Sequence, residues 1–215
     1  MNPIMIIGIA GGSGSGKTHV TNYLLKNTRS SEIVVISQDN FYKGLCENDD
    51  PTTYNFDHPD SIDWSSLESC LHDLLENKET DIPIYDFKTH KRKVDTIHIK
   101  PAKVIIVEGI LIFTQKQIRN LLMYKIFIDA ESDIRIMRRI ERDIQERDRS
   151  LPDIYHQYNN SVKPSYDKFI EPSKKHADFI LPNNEKNRFT GIDMIVNHID
   201  LFSTFTLSPK ISKYN

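Results

Sequence analysis

Long hydrophobic runs are missing from this chain of 215 residues: the longest, Ile4-Met5-Ile6-Ile7-Gly8-Ile9, is far too short to span a bilayer. It carries no basic leader and runs straight into a glycine-rich loop, so it is not expected to be a signal peptide. Cysteine is scarce. Cys46 and Cys70 form neither a metal-ligand spacing nor a disulfide framework, and two ordinary thiols of a reducing cytosol are expected. Excess charge of either sign is missing as well. A formal net charge of −2 lacks the electrostatic footprint of a nucleic-acid binder. The sequence shows no internal repeat and no low-complexity linker, and its length suits one sizeable core rather than two full domains. With 38% hydrophobic residues and a mean hydropathy of −0.48, a compact cytoplasmic enzyme is expected, without membrane or nucleic-acid partners.

What is present begins directly behind that first apolar run. Gly11-Gly12-Ser13-Gly14-Ser15-Gly16-Lys17-Thr18 fits G-x-x-x-x-G-K-[ST], the phosphate-binding loop, with a buried strand before it and a helix after it. The glycines let successive backbone N–H groups turn inward on the β- and γ-phosphates, at a helix start whose dipole favours anions. Lys17 adds a point charge on the transferring phosphates and Thr18 a hydroxyl for Mg²⁺. A flexible Gly/Ser linker would not sit between a strand and a helix. The chain is therefore expected to bind a nucleoside triphosphate.

Strands then alternate with helices. Strands are expected at Ile4–Ile9, Ile33–Ile36, Val104–Val107, Lys125–Ile128 and Phe179–Leu181. Helices are expected from Lys17 through Lys26, from a cap at Asp60 or Ser61 to about Asn77, and at Gln115–Leu122, Ser132–Glu146 and Asp193–Leu201. Ile82–Phe87 and Thr96–Ile99 flank a basic turn, Lys88–Lys93, and read as a hairpin insertion of about 82–100. The segment from Ser203 has no periodicity and is expected to fray, leaving 1–202 as one domain. The fold class is α/β: a doubly wound parallel sheet of the P-loop type, helices on both faces, with ligands beyond the carboxyl ends of the strands.

That rule directs attention to Asp39, in Ser37-Gln38-Asp39-Asn40-Phe41-Tyr42 after the second strand. A carboxylate there can orient and deprotonate an attacking hydroxyl, or it can merely cap an Asx turn. Glu108, at the end of the fully apolar strand, is either a Mg²⁺ group or a solvated strand end; Gly109 after it suggests close approach to a ligand. In the helix after Asp129, Arg135, Arg138, Arg139 and Arg142 share one face, with Ile134, Met137, Ile140 and Ile144 opposite as the expected core contact. The arginines are either a solvated face laced by pairs such as Glu131–Arg135 and Arg142–Glu146, or a lid over the triphosphate at about 138–152 that Arg147 and Arg149 extend. Tyr85 and His90, in the hairpin, are by themselves more often packing residues than ligand contacts.

The motifs together are similar to uridine kinase (uridine–cytidine kinase). The resemblance is carried by Ser37–Tyr42, Asn55-Phe56-Asp57-His58-Pro59-Asp60, Pro83-Ile84-Tyr85-Asp86-Phe87 with His90, and Val107–Leu111. Arg138-Arg139 with Arg142-Asp143, Lys163-Pro164-Ser165 and Lys174–Asp178 extend it over nearly the whole chain. It implies that Asp39 is the catalytic carboxylate facing a ribose 5′-hydroxyl near Mg²⁺. It implies that Asp57 holds the 2′- and 3′-hydroxyls with Arg139 or Arg142 and Gln157. Tyr85 and His90 would hold the pyrimidine, Tyr42 and Phe56 would line its pocket, and Glu108 would hold the metal through water. Arg142, Arg147 and Arg149 would close on phosphates. One departure stands out: the family's lid commonly reads Glu-Arg-Gly-Arg, whereas this chain has Glu146-Arg147-Asp148-Arg149.

The expected activity is transfer of the γ-phosphoryl group of ATP, with GTP as an alternative donor, to the 5′-hydroxyl of uridine and cytidine. The resemblance further implies a cytosolic homotetramer with feedback inhibition by CTP and UTP. Competing readings are a related phosphate-loop kinase acting on another acceptor, a nucleotide-dependent switch, and a nucleic-acid end kinase. The chain has no Asn-Lys-x-Asp guanine motif to favour the switch.

Overall fold

The structure, a computed structural model, describes residues 3–30, 32–47, 49–51, 53–185 and 191–205. Its strands are β1 (Met5–Gly11), β2 (Ile33–Ser37), β3 (Thr80–Asp86), β4 (Lys91–Ile99), β5 (Val104–Gly109), β6 (Tyr124–Asp129) and β7 (Phe179–Pro182). Five of them make one parallel sheet in the order β2-β5-β1-β6-β7, while β3 and β4 pair antiparallel as a separate hairpin. Every residue of β1 and β5 is buried, as continuous apolar runs covered on both faces require. The side chains alternate. Ile6, Ala10, Ile105 and Val107 enter one core with Phe41 and Leu71, while Met5, Ile7, Ile9, Val104 and Ile106 enter another with Val20 and Ile199.

The helices are α1 (Lys17–Asn27), α2 (Trp64–Leu75), α3 (Lys116–Leu121), α4 (Ser132–Arg147), α5 (Leu151–Gln157) and α6 (Ile192–Phe205). The cap of α2 is Asp63, whose carboxylate accepts from Ser66 N at 3.1 Å, so neither Asp60 nor Ser61 caps it. Residues 203–205 remain helical, contrary to the expected fraying; the expected tail from 206 onward lies outside the described residues. In the hairpin, β4 begins at Lys91, so the second half of the expected basic turn, Lys91–Lys93, is strand.

Two corrections matter for the site. On α4 the buried residues are Arg135, Arg139 and Asp143, while Met137 is 66% and Ile144 47% exposed. The arginine face points inward, the reverse of the expected orientation. Arg142 pairs with Asp143, its neighbour, rather than with Glu146. Gly109, for its part, is needed by the protein itself: a Cβ there would strike the Gln38 side chain, whose Oε1 accepts from Leu111 N at 2.7 Å.

Beyond α5 the chain stays helical to His176, with π turns at Tyr158–Val162 and Tyr166–Ile170. Pro164 and Pro172 explain them. Neither has an N–H for the carbonyl four residues back, and the widened turn re-routes the bonds: Lys163 N reaches Tyr158 O and Glu171 N reaches Tyr166 O.

Candidate functional site

The loop between β1 and α1 is held in shape by one contact of its own and by others distant in sequence. Lys17 Nζ donates to Gly12 O at 3.1 Å, and Asn183 Nδ2 donates to Ser15 O at 2.7 Å. Arg138 Nη1 in turn holds Asn183 O at 2.9 Å. Arg135 braces the loop from below, stacked 3.7 Å over the Tyr166 ring and donating Nε to Ala130 O at 3.0 Å. Gly14, at φ 77°, allows this approach, because a Cβ would strike the Arg135 carbonyl. Gly16 precedes α1 with no side-chain cap, leaving first-turn N–H groups directed to the loop interior. Ser15 Oγ is buried with no hydrogen-bond partner among the described residues. Uncapped amides, an ammonium and an orphaned hydroxyl make a fit for phosphate oxygens.

Across from the loop, Ser37 settles the geometry of the acidic side. Its hydroxyl caps the short Gln38–Phe41 turn, accepting from Asp39 N at 3.3 Å, and donates to Glu108 Oε1 at 2.8 Å. The capping is done by Ser37, which leaves the Asp39 carboxylate at the cavity wall with Lys17, Thr18 and Glu108. Register explains why they meet, since Ser37 and Ile9 both lie level with Glu108. Burial raises the Glu108 carboxyl above its ordinary value and lowers the Lys17 ammonium, and their mutual attraction opposes both shifts.

The cavity, about 770 Å³ with the solvent space at its opening included, continues into an aromatic chamber. Phe56 stacks on His90 at 4.6 Å with 22° between the rings, Tyr42 lies 5.0 Å from Tyr85, and Phe87 meets Tyr85 edge-on at 5.2 Å. His90 turns at φ 55°, and its Nδ1 lies 3.5 Å from the Tyr85 hydroxyl. Burial holds the imidazole below its ordinary pKa, assisted by Arg149 and Arg147. Burial likewise raises the Asp57 carboxyl, with Asp39 adding to it and Arg139 opposing.

The arginines close the remaining side. Arg139 Nη1 donates to Ser13 Oγ at 2.8 Å, Arg149 Nη1 to Gln157 Oε1 at 2.9 Å, and Arg147 lies 4.0 Å over the Phe87 ring. Arg147 is brought down to about 10 by burial and by Arg142, and stays charged at neutral pH. Of the expected site residues outside the loop glycines and Ser15, all line this one cavity: Ser13, Lys17, Thr18 and Asp39, then Tyr42, Phe56, Asp57, Tyr85 and His90. Glu108, Arg139, Arg142, Arg147, Arg149 and Gln157 complete the set. Arg135 and Arg138 instead brace the loop.

Sequence reasoning missed Phe87, Tyr54, Ser161, Arg92 and the role of Asp143. Phe87 and Ser161 were within reach: Phe87 follows Tyr85 by two in the expected strand Ile82–Phe87, and Ser161 follows Gln157 by four along a helical stretch. Arg92 was not, because its partners are remote. Its guanidinium donates to Tyr42 O at 2.7 Å, Phe41 O at 3.0 Å and the Asp63 carboxylate at 3.2 Å, fastening the hairpin to the turn that carries Asp39.

Comparison with known proteins adds the following. The model of the phosphoribulokinase/uridine kinase family matches residues 6–190. Uridine-cytidine kinase A of Dictyostelium discoideum is 45% identical over 200 residues, which are 93% of this chain and 40% of that protein. A uridine kinase of Lactobacillus helveticus is 43% identical, over 91% of this chain and 93% of its own. The chain thus spans under half of the first relative and nearly all of the second. Among solved structures, a phosphoribulokinase from Rhodobacter spheroides superposes with a TM-score of 0.64 at 15% identity, covering 85% of this chain and 71% of that one. At that identity the likeness concerns the fold alone. No helix among the described residues is long and apolar enough to cross a membrane.

Proposed function

Since the chain belongs to the phosphoribulokinase/uridine kinase family, we propose that it moves the γ-phosphoryl group of ATP onto the 5′-hydroxyl of uridine and cytidine, giving UMP and CMP for pyrimidine salvage. One observation carries the reading. Asp39 stands in a single cavity between a phosphate loop with Lys17 and Thr18 and an aromatic chamber with a buried carboxylate, Asp57. The names of the relatives, uridine and uridine–cytidine kinases, point to the same acceptors.

Transfer between two oxygens needs positioning and charge stabilisation more than covalent chemistry. The loop amides, with Gly11, Gly12, Gly14, Ser15 and Gly16, hold the β- and γ-phosphates, and Lys17 follows the moving group. Asp39 orients the 5′-hydroxyl and takes its proton. Asp57 accepts from both ribose hydroxyls, helped by Arg139 and Gln157, so a 2′-deoxy sugar leaves that buried acceptor partly unpaired. Phe56 and Tyr42 flank the base, while Tyr85 and a neutral His90 serve its edge; the imidazole donates at one nitrogen and accepts at the other, which suits uracil and cytosine alike. Arg142, Arg147 and Arg149 form a lid that meets the charge spread over the phosphoryl oxygens. Thr18, Asp39 and Glu108 offer only oxygen donors, and no cluster of three His, Cys, Asp or Glu capable of holding a metal occurs among the described residues. That set fits Mg²⁺, which these residues would hold and which would supply neutralisation of phosphate charge.

The same reading makes ATP the donor with GTP as alternative, and the protein a cytoplasmic homotetramer inhibited by CTP and UTP, without nucleic-acid or membrane partners. An ADP-release assay with uridine, cytidine, thymidine, adenosine and ribulose 5-phosphate tests it. Turnover confined to the two pyrimidine ribonucleosides is expected; turnover with ribulose 5-phosphate or adenosine, and none with uridine, would overturn it.

A further inference from the structure

We propose that Asp143 is the positioning residue of the arginine cluster: its buried carboxylate sets the geometry in which Arg142 and its neighbours meet the transferring phosphates. This inference rests on the kinase reading above and deepens it.

Asp143 is fully buried and shared by every arginine of the cluster. Its Oδ1 accepts from Arg142 Nε at 2.9 Å and Nη2 at 2.6 Å; its Oδ2 accepts from Arg149 Nη1 at 3.1 Å. Arg139 Nε and Arg147 Nη1 lie at 3.5 and 3.6 Å. Cations gathered this closely repel one another, and each sits on a long, flexible stem. With the carboxylate at their centre they converge on the cavity before any ligand arrives. Removing that charge leaves them to spread.

Burial works against ionisation of Asp143, yet Arg139, Arg142 and Arg147 outweigh it and hold the carboxyl below its ordinary value. The anion therefore persists across the neutral range. The grip on Arg142 is asymmetric: Nε and Nη2 are both engaged by one oxygen, and Nη2 also lies 3.4 Å from Ser13 Oγ in the phosphate loop. Arg142 is thereby aimed at the loop rather than at solvent.

A plain helix-ending role is separable from this. The backbone carbonyl of Asp143 accepts both the Asp148 and Arg149 N–H groups and closes the end of α4. Asp143→Asn keeps that carbonyl and the side-chain shape while deleting the charge. The consequences for catalysis and for helix closure thus part company in one variant.

The experiment is a double-variant cycle on the full chain: Asp143→Asn, Arg142→Gln and both together, with kcat, KM for Mg-ATP, and binding of a fluorescent ATP analogue. Asp143→Asn is expected to lose at least tenfold in kcat with analogue affinity changed less than threefold. The double variant is expected to be no more than about threefold slower than the slower single variant, because Asp143 acts first through Arg142, the one arginine it grips by two hydrogen bonds. Losses that multiply, or a wild-type kcat in Asp143→Asn, overturn the proposal. Should circular dichroism show Asp143→Asn unfolded, Asp143→Glu is read instead; it keeps the charge but displaces it by a methylene. A tenfold loss of kcat in that folded variant supports positioning, and a wild-type kcat refutes it. The wild-type rate with uridine tests the underlying reading separately. Variant-to-wild-type ratios are taken with whichever acceptor the wild type phosphorylates.

Discussion

Asp148 occupies a backbone conformation that favours glycine, and substituting it gives a signature that depends on sign. It ends α4 at φ 58°, ψ 35°, where its N–H and that of Arg149 both close onto Asp143 O. A left-handed residue with a Cβ costs roughly 1–2 kcal/mol, and less for Asp than for most side chains. Asp148→Gly relieves that strain, although glycine's greater freedom in the unfolded chain offsets part of the gain, leaving about 0.5–1 kcal/mol of net stabilisation. At roughly 2–4 °C per kcal/mol for a chain of this size, the melting temperature should rise by about 1–4 °C. Asp148→Ala removes the same charge but keeps a Cβ and loses the local tolerance of Asp, so it should destabilise by about 1 kcal/mol. The Asp148 side chain is exposed, so the loss of its charge is screened, and kcat should stay within about twofold in both variants. Differential scanning fluorimetry with parallel kinetics reads this directly. If the Gly and Ala variants move together, charge rather than backbone conformation governs the position, and the reasoning fails.

Arg92→Ala should destabilise by about 2 kcal/mol, the scale of charge-assisted hydrogen bonds in a half-buried site, and raise KM for the nucleoside more than for ATP; equal effects on both KM values would contradict a role confined to the hairpin. Gly109→Ala should destabilise by about 1–3 kcal/mol through the clash with Gln38, and a Gln38→Ala background should recover part of that in a denaturant titration; no recovery would place the conflict elsewhere. The His90 ring, followed by NMR, should titrate below its ordinary value of 6.5, because burial and then Arg149 and Arg147 disfavour its cation. With the folded value depressed, its contribution to stability is full above pH 6.5 and is lost as pH falls toward the folded value; a midpoint above 6.5 would show the chamber to be wetter than described.

The phosphate loop, the parallel strands and the acidic residues at their ends were legible because their signals are local: a spaced glycine pattern, fully apolar runs, and carboxylates at or just beyond strand ends. The orientation of α4 was not. Its isoleucines and its arginines repeat at the same helical spacing, and the usual preference for burying apolar groups selects the wrong face. What turns the helix over is the contact of its arginines with Ser13 and with the carbonyls of Asn183 and Ala130, Asp143 being buried among them. Arg92 was hidden for a related reason: a basic stretch looks like a solvated turn until Asp63 and the Phe41 and Tyr42 carbonyls fold against it. The π turns were likewise invisible as such: prolines at 164 and 172 each lack an N–H, and the chain widens around them instead of breaking.

The central claim is that Asp39 orients and deprotonates the acceptor hydroxyl while the phosphate loop, with Arg142, Arg147 and Arg149, holds the donor. The direct test is ADP release from Mg-ATP and uridine by the wild type and by Asp39→Asn, with ATP affinity measured on both proteins. The account expects kcat to fall by two orders of magnitude or more, roughly the share of a positioned general base, with ATP affinity retained. An Asp39→Asn protein as fast as the wild type would contradict it.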